Sequence, residues 1–135
     1  NKSDNYFEKA LKVQPNNQLA LNNYSYYLSL RNENLEKALE YSKRTIDKEP
    51  NNSVYLDTYA WILFKLEKYR KAKKYIEKAI QNNGSNDADV LEHYGDILYK
   101  SGDVNKAVEQ WKKAKEAGRG SEKLMEKIKQ EKLIE

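Results

Sequence analysis

The sequence of 135 residues has no cysteine, one histidine, two prolines and five glycines. The absence of cysteine excludes disulfides, thiolate metal sites and cysteine nucleophiles. A single histidine excludes a multi-histidine metal centre, the glycines form no phosphate-cradling loop, and no apolar run is long enough to span a bilayer. Carboxylates are plentiful, but no pair stands in an apolar stretch that would separate an acid from a base. We therefore expect a chain that is not an enzyme and that has no cofactor, metal ion or small-molecule substrate.

The composition favours a thin, elongated helical fold. Hydrophobic residues make up 39% of the chain and the mean hydropathy is −1.04, both low for a globule with one central core. The 11 tyrosines, two tryptophans and two phenylalanines are unlike a disordered chain, which is poor in aromatic residues. The net charge of +4 comes from lysine interleaved with glutamate, as in Glu36-Lys37. Such interleaving is typical of solvated helix faces and does not favour a nucleic-acid partner.

A repeat with a period of about 35 residues is the main signal. Tyr24, Tyr59 and Tyr94 are spaced by 35 residues, and so are Pro15 and Pro50. Alanine recurs with nearly the same spacing at positions 38, 72 and 107. Fixed spacing in this range indicates stacked supersecondary units.

Each unit has the pattern of two helices. Leu56, Tyr59 and Leu63 fall at i, i+3 and i+7, which is one face of a helix with 3.6 residues per turn. A short polar turn follows, and Asn34 and Asp103 are expected N-caps of the second helix. Small residues recur at equivalent places on both helices, where a bulky side chain would hold the helices apart. The sequence therefore predicts an all-α fold of closely packed helical hairpins.

The pattern resembles the tetratricopeptide repeat (TPR), a 34-residue helix–turn–helix with the signature W-x2-L-G-x2-Y, then A-x3-F, then P. The small residue of the first helix is Ser25, Ala60 or Gly95 in the three units, and the alanine of the second helix is present in all three. The resemblance covers about residues 3–118. It implies a right-handed α-α superhelical solenoid. The frequent use of lysine, asparagine, isoleucine and tyrosine suggests a bacterial source and assigns no compartment.

The repeat pattern predicts one domain over residues 1–135. We expect it to contain the second helix of a truncated repeat (3–15), three repeats (17–50, 52–84 and 87–118) and a C-terminal capping helix (121–134). The unpartnered first helix suggests a fragment of a longer repeat protein. Solenoids need a terminal cap with a polar outer face, and the charged run that includes Lys127 is expected to supply that face.

The resemblance implies that a protein or peptide partner binds the concave surface, which the first helix of each unit lines. Aromatic side chains there would anchor the partner, and the acidic ones indicate an apolar partner with some basic character. The alternative is that these aromatic residues, Tyr26, Trp61, Phe64 and Tyr99, pack against neighbouring helices or the C-terminal helix. A TPR subfamily grips a C-terminal carboxylate with lysine, asparagine and arginine, but that clamp is not expected here. Carried over by alignment, the candidate groove residues are Asn22, Tyr26, Asp57, Trp61, Phe64, Lys65, Glu92, Asp96 and Tyr99.

Three functions remain open at this point. The first is a non-catalytic protein–protein interaction module that binds a peptide or helix in the groove. The second is a structural or self-assembly scaffold, with the groove occupied by its own C-terminal helix or a neighbouring copy, or with a homo-oligomer formed through the exposed N-terminal helix. The third, RNA binding through basic second helices such as Arg70-Lys71, is the least favoured. His93, at i−3 from Asp96, is expected to form a hydrogen-bonded pair with it.

Overall fold

The computed structural model describes residues 2–118 and 120–134, with side chains from residue 5 onward. Every regular element in these residues is helical, as the sequence predicts. A short 3₁₀ turn, Gly84–Asn86, precedes the sixth α-helix. The α-helices are α1 (Lys2–Val13), α2 (Gln18–Leu30), α3 (Leu35–Lys48), α4 (Ser53–Lys65), α5 (Tyr69–Gln81), α6 (Ala88–Lys100), α7 (Val104–Ala117) and α8 (Leu124–Gln130).

The helices pack as a series of hairpins in chain order. The predicted repeats 17–50, 52–84 and 87–118 contain the hairpins α2–α3, α4–α5 and α6–α7, whose two helices make the most extensive contacts. Each hairpin then packs on the next through α3 against α4 and α5 against α6. The first helices also touch one another, α2 against α4 and α4 against α6. One surface of the stack is therefore built from α2, α4 and α6.

Small side chains hold the two helices of each hairpin close together. Ala38, Ala72 and Ala107 have no exposed surface. In the third hairpin, a Cβ atom added to Gly95 would lie 2.4 Å from two atoms of the buried Trp111 ring. Only glycine leaves room for that ring, so the third hairpin depends on the pair Gly95 and Trp111.

Among the described helices, α2, α4, α6 and α7 begin with a side-chain cap. Asn17 accepts a hydrogen bond from the amide of Ala20, and Asp103 accepts one from Lys106, as expected for an N-cap. The expected cap at Asn34 does not form, since the side chain of Asn34 makes no capping hydrogen bond. The backbone of Asn34 is left-handed, with φ of 47°. The first inner turn has one more residue than the others, and it closes through this left-handed residue instead.

Both ends of the chain differ from the expected helices. α1 ends at Val13 and not at residue 15, since the residue before a proline disfavours helix and Pro15 follows. α8 covers Leu124–Gln130 and not 121–134. Glu131 has a left-handed backbone with φ of 51°, which ends the helix. The chain then turns back, and Leu133 packs against the hydrophobic core. Within the described residues, no helix has the length and apolar character needed to cross a bilayer.

We expect Gly95→Ala to destabilise the fold, although alanine is the better helix former. The added methyl group overlaps the Trp111 ring, and overpacking of this kind costs about 1–3 kcal/mol, against a helix-propensity gain of about 1 kcal/mol. Urea unfolding followed by circular dichroism measures the difference.

The double variant Gly95→Ala with Trp111→Leu supplies the control, because leucine has no ring where the methyl group would meet the indole Cδ1 and Nε1. Its loss of stability should be smaller than the sum of the two single losses. Additive losses would show that this close contact does not set the packing.

Candidate protein-interaction groove

A groove runs between the first-helix surface and the C-terminal segment, which we define as residues 120–134. Its volume is about 580 Å³. One wall comes from α2, α4 and α6, and the other from the C-terminal segment. The side chains that line it include Tyr26, Leu30, Trp61, Phe64, Lys65, Glu92, His93, Asp96, Lys127, Leu133 and Ile134. The C-terminal segment is thus part of the groove.

The structure brings eight of the nine sequence-derived candidates to this surface. Asn22 and Asp57 line a smaller recess of about 200 Å³ beside the groove, which Tyr26 also borders. Tyr99 lines neither cavity, and its ring lies 6.0 Å from the Trp111 ring, against α7. The remaining candidates line the groove itself: Tyr26, Trp61, Phe64, Lys65, Glu92 and Asp96.

The aromatic residues of α4 form a stacked layer in the groove. The Trp61 ring lies 4.2 Å from the His93 ring and 4.9 Å from the Phe64 ring, both nearly parallel to it. The Lys65 ammonium is 5.0 Å from the centre of the Trp61 ring, within cation–π range. Phe64 is only 7% exposed and belongs mainly to the core. The indole N–H of Trp61 has no hydrogen-bond partner among the described residues.

Lys127 joins the C-terminal segment to α6 through a buried ion pair. Only 4% of its surface is exposed, and its Nζ lies 2.7 Å from Glu92 Oε2 and 3.0 Å from Asp96 Oδ1. The Ser121 amide donates to Glu92 Oε1 at 2.7 Å, and its hydroxyl donates to Glu92 Oε2. Trp111 Nε1 donates to Asp96 Oδ1 at 3.0 Å. One ammonium and these three neutral donors therefore satisfy two buried carboxylates.

The two carboxylates respond differently to this setting. Burial raises the pKa of Glu92, but the hydrogen bonds from Lys127 and Ser121 outweigh burial, and the pKa lies below its ordinary value. Burial also raises the pKa of Asp96, and there Lys127 does not fully offset it. Lys127 was expected on the polar outer face of the cap. The structure corrects this, because the two carboxylates on α6 draw its ammonium inward.

His93 pairs with a residue of the preceding repeat. Its Nδ1 lies 2.8 Å from Asp57 Oδ1 on α4, and both side chains are largely buried. Burial lowers the pKa of His93, but the charge and hydrogen bond of Asp57 outweigh burial and raise it above the ordinary value. The expected partner was Asp96. In the structure Asp96 instead accepts hydrogen bonds from Lys127 and Trp111.

Comparison of the sequence with models of protein families identifies the family of this chain. A tetratricopeptide repeat model matches residues 1–119. The chain belongs to the tetratricopeptide repeat family. No curated protein matches the sequence significantly.

Three solved structures are similar to this TPR chain. The TPR domain of Sgt2 from Aspergillus fumigatus is 19% identical, with a TM-score of 0.75 over 84% of this chain and 76% of that one. MamA is 20% identical, with a TM-score of 0.75 over 93% and 72%. The first TPR of Spaghetti (RPAP3), bound to the HSP90 peptide SRMEEVD, is 15% identical, with a TM-score of 0.74 over 84% and 89%. At these identities the likeness shows the fold alone, and it confirms the predicted right-handed all-α solenoid.

The sequence did not reveal how the C-terminal segment completes the groove of this TPR chain. Ser121, Lys127 and Leu133 lie about 30 or more residues from the groove residues they contact, so no helical periodicity relates them. The described residues contain no group of His, Cys, Asp and Glu side chains placed to hold a metal ion. The groove offers aromatic faces, carboxylate acceptors and the unpaired indole N–H of Trp61, which are means of binding another molecule.

We expect Lys127→Met to lower the free energy of unfolding by about 3 kcal/mol, since breaking a buried ion pair leaves uncompensated charge. The loss should shrink at acidic pH, where Glu92 and Asp96 can take up protons. Urea unfolding at neutral and acidic pH measures it. Lys129→Met is the matched control, because Lys129 is exposed on the same helix. Equal losses for the two variants would contradict a buried ion pair at Lys127.

His93 gives a direct titration test, because it is the only histidine and yields one set of ring signals. Its pKa should lie above about 6.5. It should fall in Asp57→Asn, where burial acts without the compensating charge. Because the folded-state pKa is raised, the pair contributes stability below the unfolded-state pKa and loses it as pH rises through the folded-state pKa. NMR titration of both proteins checks this, and an unchanged midpoint in Asp57→Asn would rule out the pairing.

Proposed function

We propose that the chain is a non-catalytic protein–protein interaction module that holds an extended or helical segment of its partner in the groove. Membership of the TPR family supports an interaction role. One structural neighbour, the first TPR of Spaghetti (RPAP3), is bound to a peptide. The observation that carries the proposal for this chain is a groove with exposed apolar side chains on one wall and hydrogen-bonding groups around them.

The apolar part of the groove is open to a partner. Tyr26 is 37% exposed and Leu30 is 58% exposed, and both lie on α2 at the groove wall. They line the same cavity as Trp61, whose side chain is only partly buried. Large apolar side chains exposed together mark interaction surfaces, and aromatic anchors carry much of the binding energy at such surfaces. A partner segment with apolar side chains therefore fits against the wall that α2 and α4 form.

The C-terminal segment forms the second wall in this proposal. Ser121, Leu133 and Ile134 line the same cavity as Trp61. The buried Lys127 pair fixes this segment on α6, away from Tyr26 and Leu30 on α2. The α6 end of the groove is thus filled from within the chain, while the α2 end is available to the partner.

A second candidate is the structural scaffold, in which the C-terminal segment closes the groove permanently. The burial of Lys127 between Glu92 and Asp96 favours it. Exposed apolar residues on α1, Tyr6 at 70% and Val13 at 82%, would serve as its contact with a further copy. In this candidate the groove takes no peptide, and association depends on α1.

We expect peptides selected from a random displayed library by the wild-type chain to bind the variant Tyr26→Ala with Leu30→Ala about tenfold more weakly or worse. Fluorescence anisotropy with labelled peptides measures the affinity. The control is Tyr6→Ala with Met125→Ala, which removes one exposed tyrosine and one exposed long apolar side chain away from the groove. Equal affinity for both variants would remove the groove as the binding site.

Lys127→Met separates the two candidates. If the C-terminal segment is a wall of the binding site, loosening it should weaken binding of the selected peptides, while Lys129→Met leaves binding unchanged. If the segment closes the groove, the wild-type chain selects no peptides and Lys127→Met gains binding. Light scattering after size exclusion reports in parallel whether Tyr6→Ala alters the oligomeric state, which only the scaffold candidate requires.

A further inference from the structure

We propose that the recess between α2, α4 and α6 binds a lysine or arginine side chain of the partner segment. This inference rests on the proposed function and adds the chemistry of one subsite to it. The recess has a volume of about 200 Å³. The lining side chains that carry the argument are Asn22, Tyr26, Val54, Asp57, Asp89 and His93.

The recess is acidic. Asp57, Asp87 and Asp89 line it, and no lysine or arginine is found among the described residues of its wall. His93 is the one basic group there, and it is paired with Asp57 at 2.8 Å. Three carboxylates against one imidazolium leave a net negative charge. Burial raises the pKa of Tyr26, and the charges of Asp57, Asp89 and Glu92 raise it further.

An unpaired acceptor lies in the wall of the recess. Asn22 is only 6% exposed, and its Oδ1 accepts no hydrogen bond from the described residues. A buried acceptor without a donor destabilises a fold, and nearly all such groups in proteins are paired. A partner that donates hydrogen bonds in the recess would remove this defect. Ammonium and guanidinium groups only donate, and their charge also suits the carboxylates.

The same face of α6 already holds an ammonium group one turn further along. Glu92 and Asp96 bind Lys127 Nζ at 2.7 and 3.0 Å, and Asp89 precedes them at the i−3 spacing that keeps it on this face. The chain itself thus shows how this surface binds a basic side chain. Asp89 is exposed and its carboxylate faces the recess cavity without such a partner from the C-terminal segment. The apolar surface of Tyr26 and Val54 can cover the aliphatic stem of the incoming residue.

The test uses the full chain and peptides selected from a random displayed library. The selected peptides should be enriched in lysine or arginine beside an apolar residue. Replacing that residue by uncharged norleucine or citrulline should weaken binding to the wild-type chain about tenfold. The same replacement should matter much less for Asp89→Asn. Asp47→Asn is the matched control, because Asp47 is an exposed aspartate on α3, and it should keep the full tenfold effect.

Asn22→Leu supplies a readout that a structural role would not give. It replaces a buried amide whose Oδ1 is unpaired by an apolar group of similar size, so the melting temperature should rise while affinity for the basic peptides falls. A lower melting temperature with unchanged affinity would overturn the proposal. Enriched peptides without lysine or arginine would also overturn it, and would leave the groove function standing. If no peptide is enriched, the groove function fails together with this subsite.

Discussion

The close approach of two helices within each hairpin is the constraint on which the rest of the structure depends. In the third hairpin that approach leaves no room for even a methyl group on Gly95, because the Trp111 ring occupies the space. Fully buried alanines play the same part at positions 38, 72 and 107. Because each hairpin has nearly the same geometry, the first helices lie side by side, and their outward faces form one continuous groove wall. The surface proposed to bind the partner thus follows from the way the helices pack.

An ion pair between α6 and the C-terminal segment completes the groove that helix packing builds. The solenoid surface presents carboxylates on α6, and the chain uses one of its own lysines to neutralise Glu92 and Asp96. That ion pair brings the C-terminal segment over one end of the groove, where Leu133 reaches the core. Buried ion pairs often add little to stability, but removing one partner is strongly destabilising, so such pairs hold together the segments that carry them. Here they determine which part of the groove is filled and which part is open.

The repeating part of this structure could be predicted from the sequence, and the non-repeating part could not. The 35-residue period and the recurring small residues predicted the hairpins. The contacts that build a hairpin lie within it and recur in the next one, so the sequence shows them as a repeating pattern. The same alignment gave nine groove candidates, and eight of them line the groove or the recess beside it. Lys127 was misplaced because a charged residue in a charged run gives no local sign of a distant carboxylate. Tyr99 packs against Trp111 instead of lining the groove. His93 pairs with Asp57, 36 residues earlier, because Asp96 is already occupied. In each case several side chains that are distant in sequence compete for the same partner in the folded chain. The residues next to each one in the sequence do not show which partner it will contact.

Hydrogen–deuterium exchange of the whole chain, with and without a selected peptide, tests the central claim most directly. The claim is that the first-helix surface binds a partner while the C-terminal segment stays in place on α6. Peptide should therefore slow exchange in α2 and α4, leave exchange in α3, α5 and α7 unchanged, and not accelerate exchange in residues 120–134. Protection confined to α3, α5 and α7, or faster exchange of the C-terminal segment on binding, would contradict the account.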